Sequence, residues 1–412
     1  MPRRFTRLAD GHRPWCSGPV PRSPQQYDLI VVGAGPAGCA AAISALRVRP
    51  SARVLLLDRA PLGRDKVCGD GIAPHAVTEL EALGVTGVLP HEIVATVRLS
   101  APGGDSSSAV TASAGYVVPR AAFDERLARA AIEAGAEFLQ HKVTVVRQGP
   151  DAVEADGRWR APWLVGADGS NSVVRRRAGQ AANTGDAMAV AIRGYVPSRA
   201  HVPKALHIRW DSRRAGGLCY AWAFPTAHGT TNVGYGMSSA AVTGGRAELV
   251  ERMHALLPDY DLDGAQLTGH TLPLSIARPQ PSVGRLLLVG DAASLINPLT
   301  GEGIYSAIAS GALAGAAAVQ RPARAALVYR TALAARFGSQ HRQMRGLYRL
   351  INSRSALDTV IRACRHEPRL FDRLLDVGLG DASFGAADGL RFGRHFRIHR
   401  RPLRASPLRA VG

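Results

Sequence analysis

The sequence predicts an α/β protein with two domains and a helical C-terminal piece. Three observations carry that expectation. A chain of 412 residues is too long for a single hydrophobic core. Three short apolar strands each run into a Gly-containing turn, which in the second and third also carries Asp, and then into a helix. Between the second and third of these units, residues 218–236 alternate with the two-residue period of paired strands.

Composition narrows the class. Apolar residues make up 46% of the chain, as in a globular protein. Cys16, Cys39, Cys68, Cys219 and Cys364 are far apart, with no CxxC pair. That argues against a zinc site or a disulfide framework and for reduced thiols in a cytosolic protein, so no metal is expected. Residues 1–26 carry an arginine pair without an apolar stretch behind it, unlike a signal peptide. No run of about 18 strongly apolar residues occurs, so no membrane-spanning helix is expected.

The net charge of +19 is concentrated in residues 1–26, 321–350 and 391–412. Two readings stay open. Only three of the 51 basic residues are Lys, a bias expected of GC-rich coding. Alternatively, the basic ends face an anionic partner such as phospholipid or nucleic acid. No helix-turn-helix, zinc-finger or RNA-binding pattern occurs, and the arginines lie outside the predicted fold, so nucleic acid is not expected.

The first unit reads YDLIVVGAGPAGCAAAISAL, residues 27–46. The strand Leu29 to Val32 enters a GxGxxG turn at Gly33, Gly35 and Gly38. Gly33 permits the turn, Gly35 lets a pyrophosphate approach the backbone, and Gly38 lets helix and strand pack closely; Ala37 lies inside the same turn. The helix start offers free N–H groups to the phosphate. A second strand, ARVLLLD, ends in Asp58, placed to accept hydrogen bonds from a ribose. This predicts dinucleotide binding and leaves FAD and NAD undecided.

The second and third units select FAD. Residues 164–177, LVGADGSNSVVRRR, end a strand at Asp168 and Gly169 before Ser172 and Arg175. Residues 285–304, RLLLVGDAASLINPLTGEGI, end a strand at Gly290 and Asp291, and Gly303–Ile304 then opens an Ala/Gly-rich helix. Asp291 can bind a ribityl or ribose hydroxyl. The Gly303–Ile304 helix start can direct its dipole at a flavin ring.

Taken in this order, the GAGPAG, ADG and VGDAA motifs resemble the glutathione-reductase-type FAD enzymes of the p-hydroxybenzoate hydroxylase superfamily, over about residues 27–320. The resemblance implies non-covalent FAD. It also implies that Arg120, which starts a helix after the YVV strand, contacts the cofactor. There is no second GxGxxG, so electrons are expected from a reduced nicotinamide docking near the flavin or from a protein donor.

Two further segments resemble the geranylgeranyl reductase family within that superfamily, and in particular its bacterial reductases of the menaquinone prenyl tail. One is the loop Cys68-Gly69-Asp70-Gly71; the other is the strand Tyr220-Ala221-Trp222-Ala223-Phe224-Pro225. Members of that family saturate isoprenoid double bonds, so a prenyl lipid or quinone is the implied substrate. Tyr220, Trp222 and Phe224 share one strand face. The partner strand, with Gly234 and Gly236, leaves room for them. An isolated alkene is not a hydride acceptor; protonation first gives it cationic character. Aromatic faces stabilise such a cation by about 2 kcal/mol or more when desolvated. Gly69 and Gly71 let the loop approach the reacting ring. Cys68 is then expected at that ring as proton donor, gate or packing group, with Tyr220 and Trp222 as the aromatic wall.

After residue 320 the chain reads as helices. Arg330, Arg336, Arg342, Arg345 and Arg349 either rest on anionic lipid or form a solvated face. Residues 368–378 are expected to form a helix that stops at Gly378, and the tail from Arg391 is expected to be disordered.

The resulting expectation is a glutathione-reductase-type, Rossmann-like FAD domain (27–95, 120–180 and 283–320). It is joined by an antiparallel-sheet substrate domain (96–119 and 181–282) and C-terminal helices (321–390). A basic extension (1–26) and a basic tail (391–412) flank them. The expected location is cytoplasmic, with peripheral contact at the membrane face. The second functional reading is an FAD-dependent monooxygenase acting on an aromatic or polyketide substrate, which shares the three FAD motifs but does not need the cysteine loop or the aromatic strand.

Overall fold

The computed structural model describes residues 23–87, 94–199, 201–202, 204–211, 219–227, 229–351 and 353–398. Two large sheets organise it. The first has six strands, in the order Ser282–Val283, Leu286–Leu288, Leu164–Gly166, Leu29–Val32, Val54–Asp58, Glu137–Gln140. All its pairings are parallel except that of the edge strand Ser282–Val283. Its central strands are apolar but for Asp58 at the end of Val54–Asp58 and are buried along their length, as parallel strands covered by helices must be.

The helices are α1 (Pro36–Val48), α2 (Pro74–Ala82), α3 (Arg120–Glu133), α4 (Val173–Arg177), α5 (Gly245–Leu256), α6 (Ile304–Gln320), α7 (Ala325–Ile351), α8 (Arg354–His366), α9 (Pro368–Leu379) and α10 (Ala386–Ile398). α1 and α6 meet backbone to backbone. A Cβ on Gly311 would lie 2.0 Å from the Ala37 carbonyl oxygen, and one on Gly315 would lie 1.9 Å from that of Ala41. The small residues of both helices make this approach sterically possible.

The second sheet has eight strands, in the order Thr268–Pro273, Met188–Pro197, Thr230–Ser238, Cys219–Pro225, Leu206–Trp210, Val94–Ser100, Ser106–Val117, Gly71–Ile72. It is mixed rather than antiparallel throughout, because Leu206–Trp210 pairs in parallel with Val94–Ser100. A third sheet of four short strands joins Gln25–Gln26 to segments between Val146 and Ala161.

Several expected boundaries move. Val94–Ser100 crosses the 95/96 division and belongs wholly to the eight-stranded sheet, as does Gly71–Ile72. Gln25–Gln26 pairs as a strand rather than lying in a loose extension; residues 1–22 lie outside the described residues. α9 runs past Gly378 and is capped at Gly380, since a Gly inside a helix weakens it without ending it. Residues 391–398, expected as disordered tail, are the second half of α10, and residues 399–412 lie outside the described residues.

α8 and α9 lie over one face of the eight-stranded sheet. Ile361, Cys364, Leu370 and Phe371 bury there against Val97 and Leu99. Arg362 holds Asp105, and Asp358 accepts the Gly103 N–H at 2.7 Å, which ties α8 to the turn between two strands. Among the described residues, no helix is long and apolar enough to cross a membrane.

Candidate active site

A cavity of about 740 Å³ runs between the two large sheets. One end is polar and is lined by Pro36, Lys66, Cys68, Arg120, His270 and Asp291, with the Gly301–Ile304 loop beside them. The other is apolar, walled by residues such as Leu99, Ile208, Val360, Ile361, Leu374 and Leu375. Tyr220, Trp222 and Phe224 also line the cavity.

The glycine turn is built as a cradle. Gly33 has φ +107°, and a Cβ there would lie 2.2 Å from the Ala167 carbonyl oxygen. A Cβ on Gly38 would lie 1.8 Å from the carbonyl oxygen of Gly33. Gly35 is different: no atom lies within 4 Å of its missing Cβ, and it caps α1 without a side-chain hydrogen bond. The start of α1 therefore faces open space bounded by backbone, which suits the diphosphate of a dinucleotide. Ala37 is buried, with its carbonyl against Gly311.

The three strand-end acids differ in use. Asp58 accepts the Ala34 N–H at 2.7 Å and the Ala60 N–H at 2.9 Å, so its carboxylate locks the turn from behind. Asp291 meets Lys66 Nζ at 3.0 Å at the cavity wall. Burial alone would raise its carboxyl; the ion pair outweighs burial and holds it below the ordinary range. Asp168 is engaged within its own turn. Its oxygens accept the Ser172 hydroxyl at 2.5 Å and the N–H groups of Val173 and Val174 at 2.6 and 3.1 Å, so it caps α4. Arg175 is likewise internal, bonded to Ser294, Asn183 and the Ala181 carbonyl.

Arg120 lines the cavity but spends its fork on Asp124, with two hydrogen bonds of 2.7 Å. Burial would lower its pKa; the carboxylate of Asp124, with adjacent Cys68, outweighs burial and raises it. At the start of α6, Gly303 and Ile304 line the cavity, yet the helix is not bare: Glu302 Oε1 accepts the Tyr305 N–H at 2.7 Å. Burial pushes the Glu302 carboxyl up to about 8.

The cysteine loop lies against the aromatic strand. A Cβ on Gly69 would sit 3.2 Å from both Phe224 and Trp222, and one on Gly71 would sit 3.5 Å from Phe224. Trp222 in turn needs Gly234, since a Cβ there would lie 2.2 Å from the indole ring. Tyr220 packs edge-on to Trp222 at 6.0 Å, and its hydroxyl donates to the Thr300 carbonyl. Burial raises its pKa.

Sequence reasoning missed the groups that hold this loop. Arg193, 3% exposed, donates to the carbonyls of Lys66 and Cys68 and pairs with Asp65 at 2.6 Å. Tyr195 donates to Asp70. Asn232 bonds to Trp222, Cys68 and Asp70. The missed signal was parity: Asn232 shares its strand face with Gly234 and Gly236, opposite the aromatics. His270 was also missed; burial, helped by Lys66, lowers its pKa to about 4. Among the described residues, no group of three His, Cys, Asp or Glu side chains is placed to hold a metal.

With this geometry in view, similarity to known proteins is informative. The FAD binding domain family matches residues 26–317. The chain is 35% identical over 311 residues to a menaquinone reductase of Mycolicibacterium smegmatis, covering 70% of this chain and 75% of the relative. It is 34% identical over 316 residues to digeranylgeranylglycerophospholipid reductase 1 of Methanopyrus kandleri, covering 72% and 81%. The fold matches a geranylgeranyl bacteriochlorophyll reductase-like protein of Thermoplasma acidophilum with a TM-score of 0.75, at 22% identity, over 91% of this chain and 98% of that one. The chain belongs to the FAD-binding-domain family and, within it, is an FAD-dependent oxidoreductase of the geranylgeranyl reductase type.

Proposed function

We propose that this protein uses FAD to saturate carbon–carbon double bonds of an isoprenoid chain, such as a geranylgeranyl group or a menaquinone tail. The observation that carries the reading is the single cavity. It joins a charged end beside the glycine-turn helix to an apolar end sized for hydrocarbon, with a thiol and aromatic faces between them.

In this reading the nucleotide domain is of the glutathione-reductase type, the eight-stranded sheet forms the substrate domain, and the C-terminal helices roof the apolar end. Gly35 and the start of α1 receive the diphosphate. Asp291, Gly303 and Ile304 border the flavin side, and Arg120 supports Cys68 there. FAD, when bound and reduced, would supply a hydride, with the two electrons drawn from a reduced nicotinamide or a protein donor.

The chain's own residues do the rest. The apolar wall excludes water, which would trap a cationic alkene. Tyr220 and Trp222 present π faces to the cationic carbon, an attraction of about 2 kcal/mol when desolvated. The Cys68 thiol holds a proton at the cavity surface. Arg330, Arg342 and Arg345 are exposed and suit contact with an anionic membrane face. Arg336 is excluded from that role, because it is engaged with Glu79, Asp381 and Tyr305 inside the protein.

Anaerobic reduction of the purified holoenzyme, followed by addition of menaquinone or a geranylgeranyl lipid, tests the reading. Products heavier by two mass units support it. Products carrying inserted oxygen under air, with no two-unit gain, would select the monooxygenase reading instead.

A further inference from the structure

Asn232 is fully buried, at 0% exposure, in the middle of the Thr230–Ser238 strand. A buried primary amide in a sheet is costly unless its polar atoms are satisfied. Here the side chain is engaged at both ends. Its Oδ1 accepts the Trp222 indole N–H at 2.9 Å; its Nδ2 donates to the Cys68 carbonyl at 2.9 Å and to Asp70 Oδ2 at 2.8 Å.

These partners belong to two segments that, among the described residues, share no backbone–backbone hydrogen bond: the aromatic strand and the cysteine loop. The loop is under conformational demand. Asp70 sits at φ +63°, a left-handed value uncommon outside Gly, and its Oδ1 is buried without a hydrogen-bond partner. Its other oxygen carries both the Tyr195 and Asn232 contacts. Removing Asn232 would cost the indole N–H one hydrogen bond and the loop two.

We propose that Asn232 is a positioning residue for the reduction: one amide fixes the Cys68 thiol and the Trp222 ring against the same part of the cavity. The proposal rests on the reading of the cavity given above. It assigns Asn232 no contact with substrate; it acts through its two neighbours. The charged and titratable groups around it are Asp70, Tyr195, Cys68, and Arg193 with its partner Asp65.

The test uses the FAD-loaded full chain and reads the loop independently of turnover. Cys68 alkylation by iodoacetamide is followed by peptide mass spectrometry. In Asn232→Leu, which keeps the branched shape and removes the amide, Cys68 should be alkylated about tenfold faster or more, because both buried hydrogen bonds from the amide to the loop are gone. With prenyl lipid, kcat should fall about tenfold while KM changes less than threefold. Asn232→Asp should be poor at pH 8 and recover as pH falls, since a protonated carboxyl regains one donor. Trp222→Phe, which removes only the indole N–H and the outer ring, should also speed alkylation. It serves as the second variant if Asn232→Leu does not fold. Wild-type alkylation rates in these variants would overturn the proposal, as would a loss of turnover carried by KM alone. If the wild-type enzyme reduces no prenyl lipid, the functional reading fails, while the alkylation result still decides the clamp.

Discussion

The two ends of the cavity handle charge in opposite ways. At the polar end each cation has its own carboxylate: Lys66 pairs with Asp291, and Arg120 with Asp124. At the other end, Leu99, Ile208, Ile361, Leu374 and Leu375 supply an apolar wall, where α9 adds the carboxylates Asp372 and Asp376 but no Lys or Arg. A charged group entering the first end finds counter-charges already placed. An anion entering the second finds no cation, and its desolvation stays uncompensated. Discrimination at the polar end is therefore electrostatic, and at the apolar end it rests on shape and hydrocarbon burial.

The strongest way to break this contrast is to move a charge to the wrong end. Ile361 is 0% exposed, lines the cavity and packs against the sheet. Ile361→Asp should cost about 3–5 kcal/mol of stability through an unpaired buried carboxylate. Lipid turnover should be lost, while the protein that remains folded still binds FAD. A melting temperature near wild type with normal turnover would show that this end is wet.

The next test separates packing from binding within one turn. Gly38→Ala drives a Cβ into the Gly33 carbonyl and should destabilise the fold by about 1–3 kcal/mol. Gly35→Ala meets no atom within 4 Å and has φ −81°, so the apoprotein should fold normally. Its Cβ occupies the cradle, so FAD affinity, measured by flavin titration, should fall. Equal FAD affinity in Gly35→Ala and wild type would move the diphosphate away from this turn. At the polar wall, Asp291→Asn keeps the shape, removes the counter-charge of Lys66, and should weaken FAD binding roughly tenfold or more, the scale of one charged hydrogen bond.

These residues also mark where the sequence was legible. The nucleotide-binding turn could be read because only Gly fits at Gly33 and Gly38, and steric necessity leaves a residue-type signature. The aromatic wall was readable because strand geometry imposes a two-residue period, so Trp222 predicts the glycine opposite it. The strand-end acids were not separable. Asp58 ends a strand, and Asp168 and Asp291 follow strands in strand–turn–helix units, yet Asp168 caps its own helix while Asp291 reaches the cavity. What distinguishes them is the partner. Lys66 is 225 positions from Asp291, and no local rule brings them together. Arg336 was misread among the exposed arginines for the same reason: its partners Glu79 and Asp381 come from distant segments.

The smallest expected effect is a difference in pH dependence between the same two regions. Glu302, beside the polar end, has its carboxyl raised by burial from an ordinary value near 4.5 to about 8. The folded protein therefore holds a proton that the unfolded chain releases across that window. The associated stability is present below about 4.5 and is lost as pH rises through 8. His207 lies buried in the eight-stranded sheet with neither ring nitrogen bonded, and burial lowers its pKa from 6.5 to about 4. The sign reverses: the unfolded chain takes up the proton first, so stability is full above 6.5 and falls as pH drops toward 4. His270 and His341, lowered to about 4 and about 3, act in the same acid range. Between pH 6.5 and 8 the Glu302 contribution is thus separable from those of the histidines. Over that interval, denaturant unfolding of Glu302→Gln should lose less stability with rising pH than wild type does, because a neutral amide has no proton to release. His207→Gln should leave this slope unchanged and instead flatten the acid side. Parallel slopes for Glu302→Gln and wild type between pH 6.5 and 8 would mean that Glu302 is ionised in the folded protein, with its charge carried by the N–H groups at the start of α6.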